Sequence, residues 1–119
     1  MKKPTRFYSD RQEKQVAKAV GGKQTPNSGS TPFVKGDVLT DQFLIECKTV
    51  TKPQKQVTIY KEWITKNREE AFAMNRDYNA VAFDFGDREQ FYIIDQRLFN
   101  KLISHLKEEN ENGNSMDGK

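Results

Sequence analysis

Residues 36–48, GDVLTDQFLIECK, restrict the fold more than any other stretch, because they read as a strand, a tight turn and a second strand. With Asp41 and Gln42 as the central turn residues, Thr40 faces Phe43, Leu39 faces Leu44, Val38 faces Ile45 and Asp37 faces Glu46. A four-residue loop preserves this pairing, whereas a three- or five-residue loop breaks it. Directly opposed carboxylates, with Cβ atoms roughly 4.5–5.5 Å apart, destabilise a hairpin unless something neutralises them. The period of two also places Glu46 and Lys48 on one face, with Ile45 and Cys47 pointing the other way into an apolar layer. Two acids and a lysine thus share one side of a sheet, and a divalent cation would relieve the repulsion.

The rest of the chain supplies that sheet with helices. Ser9 followed by Gln12 forms a capping box, so a first helix is expected from there, with Val16, Ala17 and Val20 as its apolar side and Gly21-Gly22 as its stop. Glu13 lies three, four and seven residues before those apolar positions and therefore shares their stripe. A charge on a burying helix requires a partner or a metal. Residues 21–36 have loop composition. Strands are expected at about 37–40 and 43–49, with a short extended piece near 57–59. A helix follows from Tyr60 to about 75, then strands at 79–85 and 90–95. A last helix carries Leu98, Phe99, Leu102, Ile103 and Leu106. The expectation is an α/β fold, a single small domain with a central mixed sheet flanked by helices in the order α-β-β-β-α-β-β-α. Residues 1–7 read as a flexible basic arm, 8–106 as the folded domain and 107–119 as a disordered polar tail.

Composition narrows the chemistry. A chain of 119 residues with 34% hydrophobic residues can bury one small core. No apolar run is long enough to span a bilayer, and the basic start lacks the apolar stretch of a secretory signal, so the expected location is the cytoplasm (the host's, for a phage-encoded chain) with no membrane partner. Cys47 and His105 are the only residues of their types, which excludes an internal disulfide and a Cys/His zinc site within one chain. Residues 1–66 hold 13 Lys/Arg against 6 Asp/Glu, whereas 67–119 hold 7 against 11. Such an asymmetry fits one face built to meet a polyanion.

An oxygen-only donor set selects a hard ion. Asp37, Glu46 and the backbone carbonyl of Cys47 could hold Mg²⁺, with Mn²⁺ able to substitute, and Glu13 could hold a second or hydrated ion. Lys48 could orient a water and stabilise charge on a phosphoryl transition state.

Asp37, eight intervening residues and Glu46-Cys47-Lys48, with Glu13 on the helix upstream, resemble the catalytic motif of the PD-(D/E)xK nuclease superfamily. Gly36 stands where the motif has proline. Over residues 9–75 the first helix, the loop TPNSGS, the hairpin, the basic stretch and the helix from Tyr60 are similar to archaeal and phage Holliday-junction resolvases. The resemblance implies a restriction-endonuclease-like core and metal-dependent hydrolysis of DNA phosphodiesters. It also implies branched or duplex DNA as substrate and a homodimer that nicks two strands of a four-way junction. By the same resemblance Ser28 or Ser30 touches a phosphate. Lys52, Lys55 and Lys61 look placed to track a DNA backbone.

Two other functions fit the same residues: a nuclease of this superfamily acting on flaps, nicks or linear DNA, and a non-catalytic DNA-binding module using the basic half. Three clustered carboxylates contribute nothing to phosphate binding and count against the module. Plainer structural readings also exist. Glu13 in a first turn suits the helix dipole, and Ser28-Gly29-Ser30 suits a plain loop. Tyr60 and Trp63 are expected in the core, His105 on a solvated helix face and Cys47 as a small buried side chain. Asp84, Asp87 and Asp95 are expected at turns and strand ends.

Overall fold

The hairpin has the expected register: Asp37 pairs with Glu46, Val38 with Ile45 and Leu39 with Leu44. Neither Asp41 nor Gln42 takes the positive φ of the favoured hairpin turns. The Thr40 hydroxyl closes the turn instead, accepting the backbone N–H groups of Gln42 at 3.2 Å and Phe43 at 2.9 Å.

The computed structural model describes residues 5–25 and 37–117. Its elements are α1 (Thr5–Val20), β1 (Lys23–Gln24), β2 (Asp37–Leu39), β3 (Phe43–Lys48), α2 (Lys61–Ala73), β4 (Tyr78–Phe83), β5 (Phe91–Ile93) and α3 (Gln96–Asp117). The five strands form one mixed sheet in chain order. Neighbours run antiparallel except β3 and β4, which are parallel and joined through α2, as a crossover requires. This is a small single-domain α/β fold. No helix among the described residues is long and apolar enough to cross a membrane.

Val16 of α1, Val38, Ile45, Ala80 and Ala82 make the buried core on one face of the sheet, with Phe43 and Cys47 packed against it. Alternation sends Leu44, Glu46 and Lys48 to the opposite face. There Ala71 of α2 is buried, and Asn67 of the same helix donates from Nδ2 to the Leu44 carbonyl at 3.3 Å. Helix α2 closes at Asn75, whose φ of 58° lets Arg76 N–H reach the Ala71 carbonyl at 2.8 Å. Asp95 caps α3, its Oδ1 accepting Leu98 N–H at 2.9 Å.

Several boundaries differ from the sequence reading. Helix α1 begins at Thr5, before the Ser9 capping box, and absorbs residues assigned to the basic arm. Arg11 holds this extra length, its guanidinium 5.4 Å from the ring centroids of Phe7 and Tyr8. The order of elements is as expected, but one of the first three strands is a different segment. Residues 57–59 form no strand, while Lys23–Gln24, inside the expected loop, pair with Leu39 and Val38. Helix α3 continues to Asp117, through residues read as a disordered tail. A polar run has no apolar period to report it, yet Glu and Lys are good helix formers and extend a helix that Asp95 has already capped.

Candidate active site

Backbone pairing brings the two acids together. Asp37 starts β2 and Glu46 lies opposite it on β3; they are 9% and 3% exposed. Lys48, two residues along the same face, places Nζ 3.0 Å from Glu46 Oε2. Among the described residues Glu46 Oε1 is buried with no hydrogen-bond partner. One lobe of this carboxylate is thus held by an ammonium and the other is left for a further positive group.

Lys48 is oriented from both ends. Its Nζ lies 4.9 Å from the Trp63 ring centroid, and its backbone carbonyl accepts Gln12 Nε2 at 2.9 Å. Gln12, buried on α1, also donates to Gln90 Oε1 at 2.8 Å. Gln90 in turn donates to Asp84 Oδ2 at 2.8 Å, and Asp84 further accepts the Thr49 hydroxyl and Gly86 N–H. Asp84 is therefore a structural carboxylate, fully engaged at the end of β4. The network ties α1 to the strand ends that carry the acids.

Glu13 arrives from α1, on the other side of the sheet, and is half-buried. Its Oε1 accepts Gln24 Nε2 at 3.1 Å, and the same amide reaches Asp10 Oδ1 at 3.2 Å. Burial raises the Glu13 carboxyl above the usual carboxylate range; the Gln24 bond opposes this, Asp10 adds to the rise and Arg6 reduces it. The Cys47 thiol is pushed far up, first by burial and then by the charges of Glu13, Asp37 and Glu46. All three carboxylates thus act on one point of β3.

They do not close into a cage. Among the described residues no group of three or more His, Cys, Asp or Glu side chains is arranged to hold a metal ion. Asp37 and Glu46 meet a smaller requirement, since Mg²⁺ takes one or two carboxylates and completes its shell with water and phosphate oxygens. The buried, unbonded Glu46 Oε1 fits that use.

Lys52, Lys55 and Lys61 are exposed, on the segment after β3 and at the first turn of α2. Ser28 and Ser30 lie outside the described residues. Tyr60 is not in the core: it is 56% exposed and makes an edge contact with Trp63 at 5.3 Å. The reason is its position, at the N-cap of α2 and before the first turn that packs on the sheet. Trp63 is half-buried beside Lys48, and His105 is exposed as expected.

Gln12 and Trp63 are the site neighbours that sequence reasoning missed. Gln12 lies four residues before Val16, on the stripe assigned to Glu13, and that spacing was the available signal. Nothing in the spacing of Trp63 distinguishes a core aromatic from one covering a lysine. The chain matches no family model, no curated protein and no solved structure.

Proposed function

We propose that the chain is a divalent-metal-dependent DNA endonuclease with Asp37, Glu46 and Lys48 at its centre, acting on branched DNA in the manner of a Holliday-junction resolvase. The observation that carries this reading is the Asp37–Glu46 pairing with Lys48 Nζ 3.0 Å from Glu46, a buried arrangement that stability alone does not favour. A restriction-endonuclease-like core is part of the same proposal, supported by the element order and the mixed sheet.

Asp37, Glu46 and the Cys47 carbonyl would hold the cation, Mg²⁺ or Mn²⁺, with Glu13 beside them. When bound, such an ion neutralises the scissile phosphate and lowers the pKa of water. Lys48 orients the attacking water and offers its ammonium to the charge that develops on phosphorus-bound oxygens. Trp63 limits where that ammonium can go. Lys52, Lys55 and Lys61 follow the backbone of the DNA, with Ser28 or Ser30 as a further phosphate contact. Resolving a junction requires two symmetric cuts, so two chains act together.

The test is cleavage of a four-way junction, a flap, a duplex and a single strand, with Mg²⁺ and with chelator. Junction cleavage in Mg²⁺, lost in Asp37→Asn, Glu46→Gln and Lys48→Ala while their circular dichroism is unchanged, is the expected result. Binding should persist in Lys48→Ala. Cleavage of flaps or nicks in place of junctions would move the substrate class, and full activity of any of the three variants would remove the site.

A further inference from the structure

The row of residues that carries Lys48 continues across the sheet as aromatic side chains. Lys48 on β3 pairs with Phe83 on β4, and Phe83 pairs with Phe91 on β5, so all three belong to the face opposite Val16, Ala80 and Ala82. Phe85 joins them beyond the end of β4. The three ring centroids lie 5.7 or 5.8 Å apart, with Phe83 and Phe91 inclined by 31° and Phe85 edge-on to both. Phe91 stands on the edge strand and is 40% exposed. Such a cluster offers a partner a π face as well as apolar area.

Charge around the rings identifies that partner. Gln54 N–H bonds the Phe85 carbonyl at 2.8 Å, and a Cβ at Gly86 would lie 2.4 Å from the Lys52 carbonyl oxygen, so the segment after β3 lies against the backbone of the cluster. From Thr49 to Lys61 this segment carries three lysines and no acid. Lys52, Lys55 and Arg88, the last in the loop between β4 and β5, are exposed, and among the described residues none of them is in an ion pair. The same loop holds two exposed acids, Asp87 and Glu89, and Asp87 Oδ1 accepts Glu89 N–H at 3.2 Å. Rings bordered by unpaired cations suit a polyanion with aromatic groups of its own, which describes a nucleic-acid strand and not an apolar peptide.

We infer that Phe91, backed by Phe83 and Phe85, stacks an unpaired base of the strand whose phosphate lies at Lys48. Two strand spacings separate Phe91 from Lys48, about 10 Å. A stacked strand covers that distance in about three nucleotides at ~3.4 Å each. In continuous duplex both faces of a base are already stacked on its neighbours, so the ring has no face to meet. The cluster therefore selects DNA that is opened beside the cut, at a branch point, a flap base or a gap. This inference rests on the nuclease reading for the strand it binds, and it deepens that reading by naming what the substrate must expose.

The experiment is fluorescence anisotropy of the full chain in chelator, where nothing is cut, with a labelled oligodeoxythymidine and a blunt duplex of the same length. The wild type is expected to hold the single strand, Phe91→Leu to weaken that binding about tenfold, as loss of one base–aromatic stack would, and Phe91→Tyr to retain it. Duplex affinity should be the same in all three. Should Phe91→Leu not fold, Phe85→Leu takes its place, with the same direction expected. Single-strand affinity unchanged by the leucine variants, the result expected if the rings dock a protein, overturns the inference, and so does an equal loss on single strand and duplex. Cleavage is scored separately. Selective loss of single-strand binding in a chain that cuts no DNA would uphold the stack and remove the nuclease reading, whereas cleavage that depends on Glu46 but binding indifferent to Phe91 would do the reverse.

Discussion

Asp37 and Glu46 are partners across the β2–β3 ladder, both buried, with Lys48 Nζ 3.0 Å from Glu46 Oε2. Two carboxylates thus face each other at the centre of the site, with the ammonium against Glu46. In chelator, Asp37→Asn is expected to stabilise the fold by ~1 kcal/mol, at the upper end for a cross-strand like-charge pair. Added Mg²⁺ should raise the melting temperature of the wild type and leave that of Asp37→Asn unmoved. Thermal melts with and without Mg²⁺ check both; an indifferent wild type would mean that no ion binds between these residues.

Trp63 covers the ammonium of Lys48 at 4.9 Å, and the lysine side chain is about one-third exposed. A partly solvated contact of this type is worth about 1 kcal/mol, so Trp63→Ala should lower kcat about fivefold. KM should hold, because the ring acts through Lys48 and not through the DNA. Trp63→Phe, which keeps an aromatic face, should recover most of the rate. Steady-state kinetics on the preferred substrate separates this from a loss of fold, which Trp63→Phe would not rescue selectively.

Lys52 and Lys55, on the segment after β3, and Lys61, at the first turn of α2, are exposed. Each phosphate contact contributes ~0.9 to the dependence of log K on log salt, so replacing all three by alanine should flatten that slope by up to ~3. Titration of labelled duplex at several salt concentrations measures it. An unchanged slope would place the DNA on another face.

The hairpin could be read from the sequence because a two-residue turn and a period of two leave one register that buries Val38 and Ile45 together. Strand β1 could not, since two residues, Lys23 and Gln24, have no alternation to detect and owe their pairing to the β2 edge beside them. Val57 and Ile59 had the opposite problem. Their β-branched side chains looked like a strand, but Gln54 N–H bonds the Phe85 carbonyl at 2.8 Å and draws the segment along the end of β4. In the site, the sequence placed Glu13 on the helix stripe but held no information on Gln24, which comes from β1 and takes up its carboxylate.

Gly22 tests how closely that edge is packed. A Cβ at this position would lie 2.6 Å from the Leu39 carbonyl oxygen and 3.0 Å from Val38 Cγ1. The first clash is with backbone of β2, which cannot swing aside, so Gly22→Ala should destabilise by ~1–3 kcal/mol. Chemical denaturation gives the value directly. A neutral substitution would mean that β1 separates from β2 at little cost.

Glu13 gives the pH dependence. Its folded-state carboxyl is raised above the unfolded value of 4.5, chiefly by burial. The folded state therefore binds the proton more tightly than the unfolded chain does. The associated stability is fully present below pH 4.5 and is lost as pH rises through the folded value. At neutral pH the native state carries a half-buried charge whose carboxylate is held by the Gln24 amide. Glu13→Gln removes the charge and keeps the shape, so it should melt higher than the wild type at pH 7 and converge with it towards pH 4. Should Glu13 join the cation held by Asp37 and Glu46, Mg²⁺ will narrow the gap at pH 7 by stabilising the wild type more than the variant. Melting curves of both proteins across this range settle the sign, and a variant less stable than the wild type at pH 7 without metal would show that the Gln24 bond outweighs burial.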